Sequence, residues 1–169
     1  LPLFVEPFWL AMPRKHALAD ADEVSLRDLD TGEVLLLADG HCLADQARSV
    51  CGSRAAGKSL ESGDLRASSL ETLLQLVGAG FGTTLVPALA LRGSWTTDAG
   101  VIARPFRARD AQRTVRLVYR RSYPRAAVLE ALADVITENL PNTVMPLRGR
   151  PRARRGRYDP LNGRTERAK

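Results

Sequence analysis

The chain has 169 residues, 44% of them hydrophobic and 26% charged, which reads as a soluble globular chain. No apolar run reaches the roughly 18 residues of a bilayer-spanning helix, so no membrane span is expected. The net charge of +6 sits in one place: Arg148–Lys169 holds nine Lys or Arg against two Asp or Glu, leaving 16 basic and 17 acidic residues elsewhere.

The chain opens on Leu1 rather than Met. LPLFVEPFWLAMPRKH lacks the basic segment and long apolar core of a secretory signal, so no signal peptide is expected, and a start within a strand leads one to expect a fragment or excised domain. Leu3–Met12 is mostly apolar with Pro7 inside it, which predicts strand, bend, strand. Ser25 is placed to cap a short turn at LRDL. Val34–Leu37 is a short apolar run between Gly32 and Asp39-Gly40, the pattern of a buried parallel strand, with a helix starting near Cys42. Leu70, Leu73, Leu74 and Val77 follow helical spacing; Ser68 with Glu71 fits a capping box, and Gly78 or Gly80 fits the stop. Thr83–Val86 predicts a strand, then a short helix begun by Pro87 and a loop containing Gly93 and Trp95. Val101–Pro105 and Thr114–Tyr119 predict two more strands. Ala126–Asn139 predicts a helix with Val128, Leu129, Leu132, Val135 and Ile136 on one face and Pro141 after it. This alternation argues an α/β fold with a largely parallel sheet. The tail from Arg148 is rich in Arg, Pro and Gly and nearly free of large aliphatics, so it is expected to be disordered. It could touch nucleic acid or an acidic surface, or simply keep the chain soluble, which is the ordinary role of a charge run.

Both cysteines lie in DGHCLADQARSVC. A cysteine reacts as its thiolate, and a place in the first turn of a helix, with His41 beside it, would favour that form at Cys42. Two cysteines also fit a core as small apolar residues, and two in a chain of this length make no disulfide framework. If residues 42–51 are helical, nine steps separate the cysteines by about 13 Å, against the roughly 7 Å that a disulfide allows between Cα atoms. Linking them would then require the helix to unwind, with Gly52 and the polar GSRAAGKSLESGD stretch giving Cys51 room to move. Metal binding is poorly supported, with no CxxC and only His16 and His41. A His41–Cys42 nucleophilic dyad is weak, because neighbours in sequence need not face each other.

DGHCLADQARSVC, RASSLETLLQLVGAGFGTTLVPALAL and QRTVRLVYRRSYPRAAVLEAL together resemble the regulatory domain of peroxide-sensing LysR-type transcriptional regulators, over about Leu1–Leu140. The cysteine pair at this spacing is the specific element; the other two stretches are partly general to LysR-type effector domains. The resemblance implies a two-lobed α/β domain, similar to periplasmic binding proteins, with an incomplete first lobe. Residues 1–113 would form the second lobe, 114–140 the returning part of the first, and 141–169 a basic tail without a family counterpart. The N-terminal winged helix-turn-helix would lie outside this chain. The resemblance also implies that Cys42 reacts with peroxide and Cys51 resolves the product, with His41, Asp45 and Arg113 around the thiolate. Many relatives carry Arg two residues after the reactive cysteine, where this chain has Ala44; Arg48 or Arg113 is expected to compensate. The GSRAAGKSLESGD stretch is slightly longer than in some relatives.

The implied role is a stoichiometric sensor rather than an enzyme, cytoplasmic and free of cofactors. Its implied partners are DNA through the absent domain, further copies in a dimer or tetramer, RNA polymerase, and thiol reductants. Three rivals remain. A LysR-type domain could bind a small anion with incidental cysteines. A thiol peroxidase could use the same chemistry, although the P-x-x-x-T-x-x-C pattern of peroxiredoxins is absent. Or the piece could do nothing alone, with an uncovered sheet edge.

Overall fold

The computed structural model describes residues 1–52, 67–92, 100–107 and 111–147, with the backbone of 158–159 and 164–165. The expected flexible stretch after Gly52, the loop with Gly93 and Trp95, and most of the basic tail lie outside the described residues.

One strand organises everything. β1 runs from Pro2 to Pro13 without interruption. Its first half pairs with β4 (Gln112–Arg116) and with β5 (Met145–Pro146). Its second half pairs with β2 (Thr84–Pro87) and with β3 (Val101–Pro105). The expected bend at Pro7 is absent. Pro7 stands opposite Gln112 and Phe8 opposite Pro87, so the proline lies where β1 changes partners and a missing N–H is tolerated.

All ladders between β1 and its neighbours are antiparallel, which corrects the expectation of a largely parallel sheet. Parallel pairing occurs as single bridges, Val24 with Phe106, Val34 with Thr83 and Leu37 with Ala67. The Val34–Leu37 run is therefore buried and parallel, but it meets its neighbours at single residues and forms no ladder. Gly82 permits the second bridge: its φ is +157°, and a Cβ there would collide with the Glu33 carbonyl oxygen.

The helices match the apolar spacing. Ser25 caps a 3-10 turn at Leu26–Asp28 with a capping box. α1 spans Cys42–Cys51 and α2 spans Leu70–Gly78. The cap of α2 is Ser69, not Ser68: its hydroxyl accepts from the Thr72 N–H at 3.1 Å. A 3-10 segment at Ala88–Arg92 follows β2, and α3 spans Ala126–Glu138. β4 ends at Arg116 rather than Tyr119; just beyond it Leu117 and Leu1 exchange two backbone bonds, the Leu117 N–H donating to the Leu1 carbonyl at 2.8 Å and the Leu1 ammonium to the Leu117 carbonyl at 3.0 Å.

The second half of β1 is buried on both faces. Phe8, Leu10 and Met12 pack with Val24, Val34, Ala47, Leu85 and Phe106 on one side. Ala11 packs with Leu35, Leu37, Leu73, Leu74, Val77 and Val86 on the other. The first half has a smaller core of Leu3, Phe4, Ala133 and Val144. The expected apolar face of α3 is largely exposed, with Val128 at 56%, Leu132 at 45% and Val135 at 55%. The helix packs along Ala133 and Thr137, joined from the expected face by Ile136. Residues 141–147, assigned above to the tail, belong to the sheet: Val144 is buried, β5 pairs with β1, and the Leu147 N–H donates to the Leu3 carbonyl. Farther on, β6 (Tyr158–Asp159) pairs with β7 (Arg164–Thr165).

Candidate functional site

Helix α1 carries both cysteines, one at each end. A bend at Asp39-Gly40 delivers the chain to it, with Gly40 at φ +94°. His41 is the N-cap residue; its carbonyl accepts from the Ala44 N–H at 2.9 Å and its side chain makes no capping bond. Gly52 closes the helix at φ +68°, its N–H donating to the Arg48 carbonyl. So a glycine with positive φ stands at each end, a backbone conformation that glycine adopts at little steric cost.

Cys42 is the first helical residue and is exposed. Cys51, the last, is half-buried against the Phe8–Leu10–Met12 cluster, and this burial raises its thiol pKa from the ordinary 9.0. Both are free thiols. With the intervening residues helical, about 13 Å of helix axis separates them.

The neighbours fall into two groups. Asp45 turns to Arg48, whose Nη1 donates to it at 3.0 Å, while Nη2 donates to Asp39 at 2.8 Å. These exposed pairs tie the first turns of α1 to the loop before it. Arg113 joins a different group. Its Nε and Nη2 both lie 2.8 Å from Glu6 Oε2, and its Nη1 donates to Gln46 Oε1 at 3.0 Å. Its guanidinium also lies 5.9 Å from the Phe8 ring centroid. Glu6 is fully buried, and its other oxygen accepts from the Leu89 N–H at 2.8 Å.

Both arginines expected to compensate for Ala44 have acidic partners. Arg48 is committed to Asp39 and Asp45, and Arg113 to Glu6 and Gln46. Ala44 itself is 1% exposed and packs among Leu35, Leu37 and Leu73, so a long cation there would have to leave the core. Glu6 and Gln46 were not among the expected site residues. Glu6 had a signal: it is the one charge in LFVEPFWLAM, and a carboxylate buried in such a run must be paired. Gln46 had none, since its partner lies 67 residues away.

The family model for the LysR substrate binding domain matches residues 1–141. The DNA-binding transcriptional dual regulator OxyR of Escherichia coli K12 is 42% identical over 136 residues, which cover 80% of this chain and 43% of that protein. A reduced form of OxyR from N. meningitidis superposes with a TM-score of 0.73 at 32% identity, covering 87% of this chain and 68% of that one. A cysteine variant of Corynebacterium glutamicum OxyR with hydrogen peroxide bound gives 0.69 at 36% identity, covering 82% and 43%. The chain thus spans less than half the length of its E. coli relative. Among the described residues no helix is long and apolar enough to cross a membrane.

Proposed function

The chain belongs to the LysR substrate-binding domain family, and from that premise we propose that it is the peroxide-sensing part of a cytoplasmic LysR-type transcription regulator. The observation that carries the reading is one helix with an exposed thiol at its start, a half-buried thiol at its end, and a positive-φ glycine beside each. Relatives that are called OxyR, one of them with hydrogen peroxide bound, support it.

The Cys42 thiolate attacks one oxygen of hydrogen peroxide. The O–O bond breaks, giving a Cys42 sulfenic acid and hydroxide, which takes a proton to become water. Cys51 sulfur then attacks Cys42 sulfur; the S–O bond breaks, the disulfide forms and a second water leaves. Because the wound helix holds the sulfurs' backbones about 13 Å apart, the second step requires α1 to unwind between Gly40 and Gly52. Two cellular thiols return the pair to the reduced state by successive exchanges and leave as their own disulfide. His41 orients the approach to Cys42, Asp45 holds the first turn through Arg48, and Arg113 supplies the cationic side of the site from β4 through Gln46.

In this reading residues 1–113 are the second lobe and 114–140 return to the first. The rest of that lobe and the DNA-binding domain belong to sequence outside this chain. DNA, further copies of the regulator, RNA polymerase and a thiol reductant are the partners of the whole protein, which turns over no substrate.

The test is low-micromolar hydrogen peroxide added to the pre-reduced protein without air, followed by mass spectrometry of non-reduced peptides. A rapid intramolecular Cys42–Cys51 link, lost in Cys42→Ser, is expected. Cys42 remaining reduced while a control surface thiol oxidises would overturn the reading. Peroxide consumed catalytically with a reductant would instead favour a thiol peroxidase.

A further inference from the structure

We infer that Glu6 is a positioning residue for the redox helix, acting through Arg113 on Gln46, so that this three-residue strut holds α1 in its wound, dithiol form. The inference rests on the reading of Cys42 and Cys51 as a reacting pair.

Glu6 stands at the point where β1 passes from one sheet to the other, next to Pro7. Its side chain is fully buried, and both oxygens are used. One receives the Leu89 N–H from the 3-10 segment after β2; the other receives two guanidinium nitrogens of Arg113 on β4. A carboxylate in that position cannot release its cation without leaving a buried charge unpaired. Arg113 is therefore fixed, and its remaining Nη1 points to Gln46, one turn beyond Cys42 on α1. The charge-assisted bond to Gln46 exists because residue 46 is presented by the wound helix. Unwinding residues 42–51 to bring the two sulfurs together carries Gln46 away from an arginine that stays on Glu6. The bond therefore favours the dithiol over the disulfide, and by reciprocity the redox state of the pair loads or unloads the junction of the two sheets.

The test is the equilibrium dithiol + GSSG ⇌ disulfide + 2 GSH, run on the full chain without air. In it the protein loses two electrons and two protons to glutathione disulfide. Gln46→Ala removes the strut and keeps the buried pair. The expected result is a shift toward the protein disulfide of about tenfold, the weight of one hydrogen bond to a charged group. A purely local effect has the opposite sign: alanine is the better helix former, so without a strut the substitution would favour the wound dithiol. Gln46→Glu, which offers Arg113 a carboxylate, shifts the equilibrium toward the dithiol. Glu6→Gln moves it the same way as Gln46→Ala.

Amide hydrogen exchange of the reduced protein gives an independent reading, with faster exchange in α1 expected for Gln46→Ala and Glu6→Gln, and at Leu89 for Glu6→Gln alone. An unchanged equilibrium and unchanged α1 exchange in Gln46→Ala would overturn the strut while leaving the peroxide reading intact. Wild-type protein that forms no Cys42–Cys51 link at any glutathione ratio, with α1 exchange still raised by both substitutions, would sink the redox reading and leave the strut standing.

Discussion

The two halves of β1 have similar sequences but different surroundings. Beyond Pro7 the strand carries Phe8, Leu10, Ala11 and Met12, and every one of them is covered, alternately on the two faces. Before it, Leu3 and Phe4 are buried too, but among the described residues their core has only Ala133 and Val144 as further buried members, and α3 beside it shows Val128, Leu132 and Val135 to solvent. The contrast teaches that hydrophobic spacing reports a face, not its cover. The α3 pattern is as regular as that of α2, whose Leu73, Leu74 and Val77 are all buried. α2 meets a sheet with apolar residues on both sides, whereas α3 meets the first half of one strand and its short partners.

The largest effect expected from this contrast is in the doubly covered half. Leu10→Ala should lower unfolding free energy by about 3 kcal/mol, measured in urea, while Leu132→Ala should cost less than about 0.5 kcal/mol. Equal losses would erase the distinction. Next comes the junction. Glu6→Ala strands Arg113 and should cost about 2–3 kcal/mol, less than a fully buried pair because Arg113 is partly exposed. Gly82→Ala should cost more than about 1 kcal/mol, since its Cβ meets the Glu33 carbonyl; a neutral melt would mean the Val34–Thr83 bridge shifts easily.

A smaller effect separates the ends of α1. Iodoacetamide should label exposed Cys42 before Cys51, and in Cys42→Ser the Cys51 rate should reach its midpoint above pH 9.0. The folded thiol holds its proton more tightly than the unfolded one. Its contribution to stability is therefore complete below pH 9.0 and is lost as pH rises through the higher folded value, so Cys51→Ala should flatten the alkaline end of the stability curve. The smallest effect is at the exposed face: Val128→Ser with Val135→Ser should leave the urea midpoint nearly unchanged and raise solubility. A marked loss of stability there would show that the face is covered in solution.

Much of this architecture is legible in local sequence. The start of α1 at Cys42 follows from a buried run, a turn and a change of period, and the spacing of α2 fixes its inward face. Its cap missed by one residue because Ser68 and Ser69 are chemically equivalent candidates and only the fold chooses. The proline in β1 misled because a ladder partner change cannot be seen locally. The cysteine pair was legible as chemistry, whereas its support was not: Glu6 and Arg113 are 107 residues apart, and Arg113 and Gln46 are 67 apart. Arg48 was legible as a charge near Cys42, but its commitment to both Asp39 and Asp45 depends on the bend between them.

The unbroken course of β1 has a mechanical consequence. Twelve residues at about 3.3 Å each make a shaft of roughly 40 Å to which both sheets are keyed by hydrogen bonds. Neither sheet can turn about that axis without transmitting torque to the other. That torque passes through residues 6–8, where Pro7 has a fixed φ and Glu6 is braced by the Leu89 amide and Arg113. A rotation driven from α1 would thus be geared through a coupling that is stiff by covalent chemistry on one side and by a partly buried ion pair on the other.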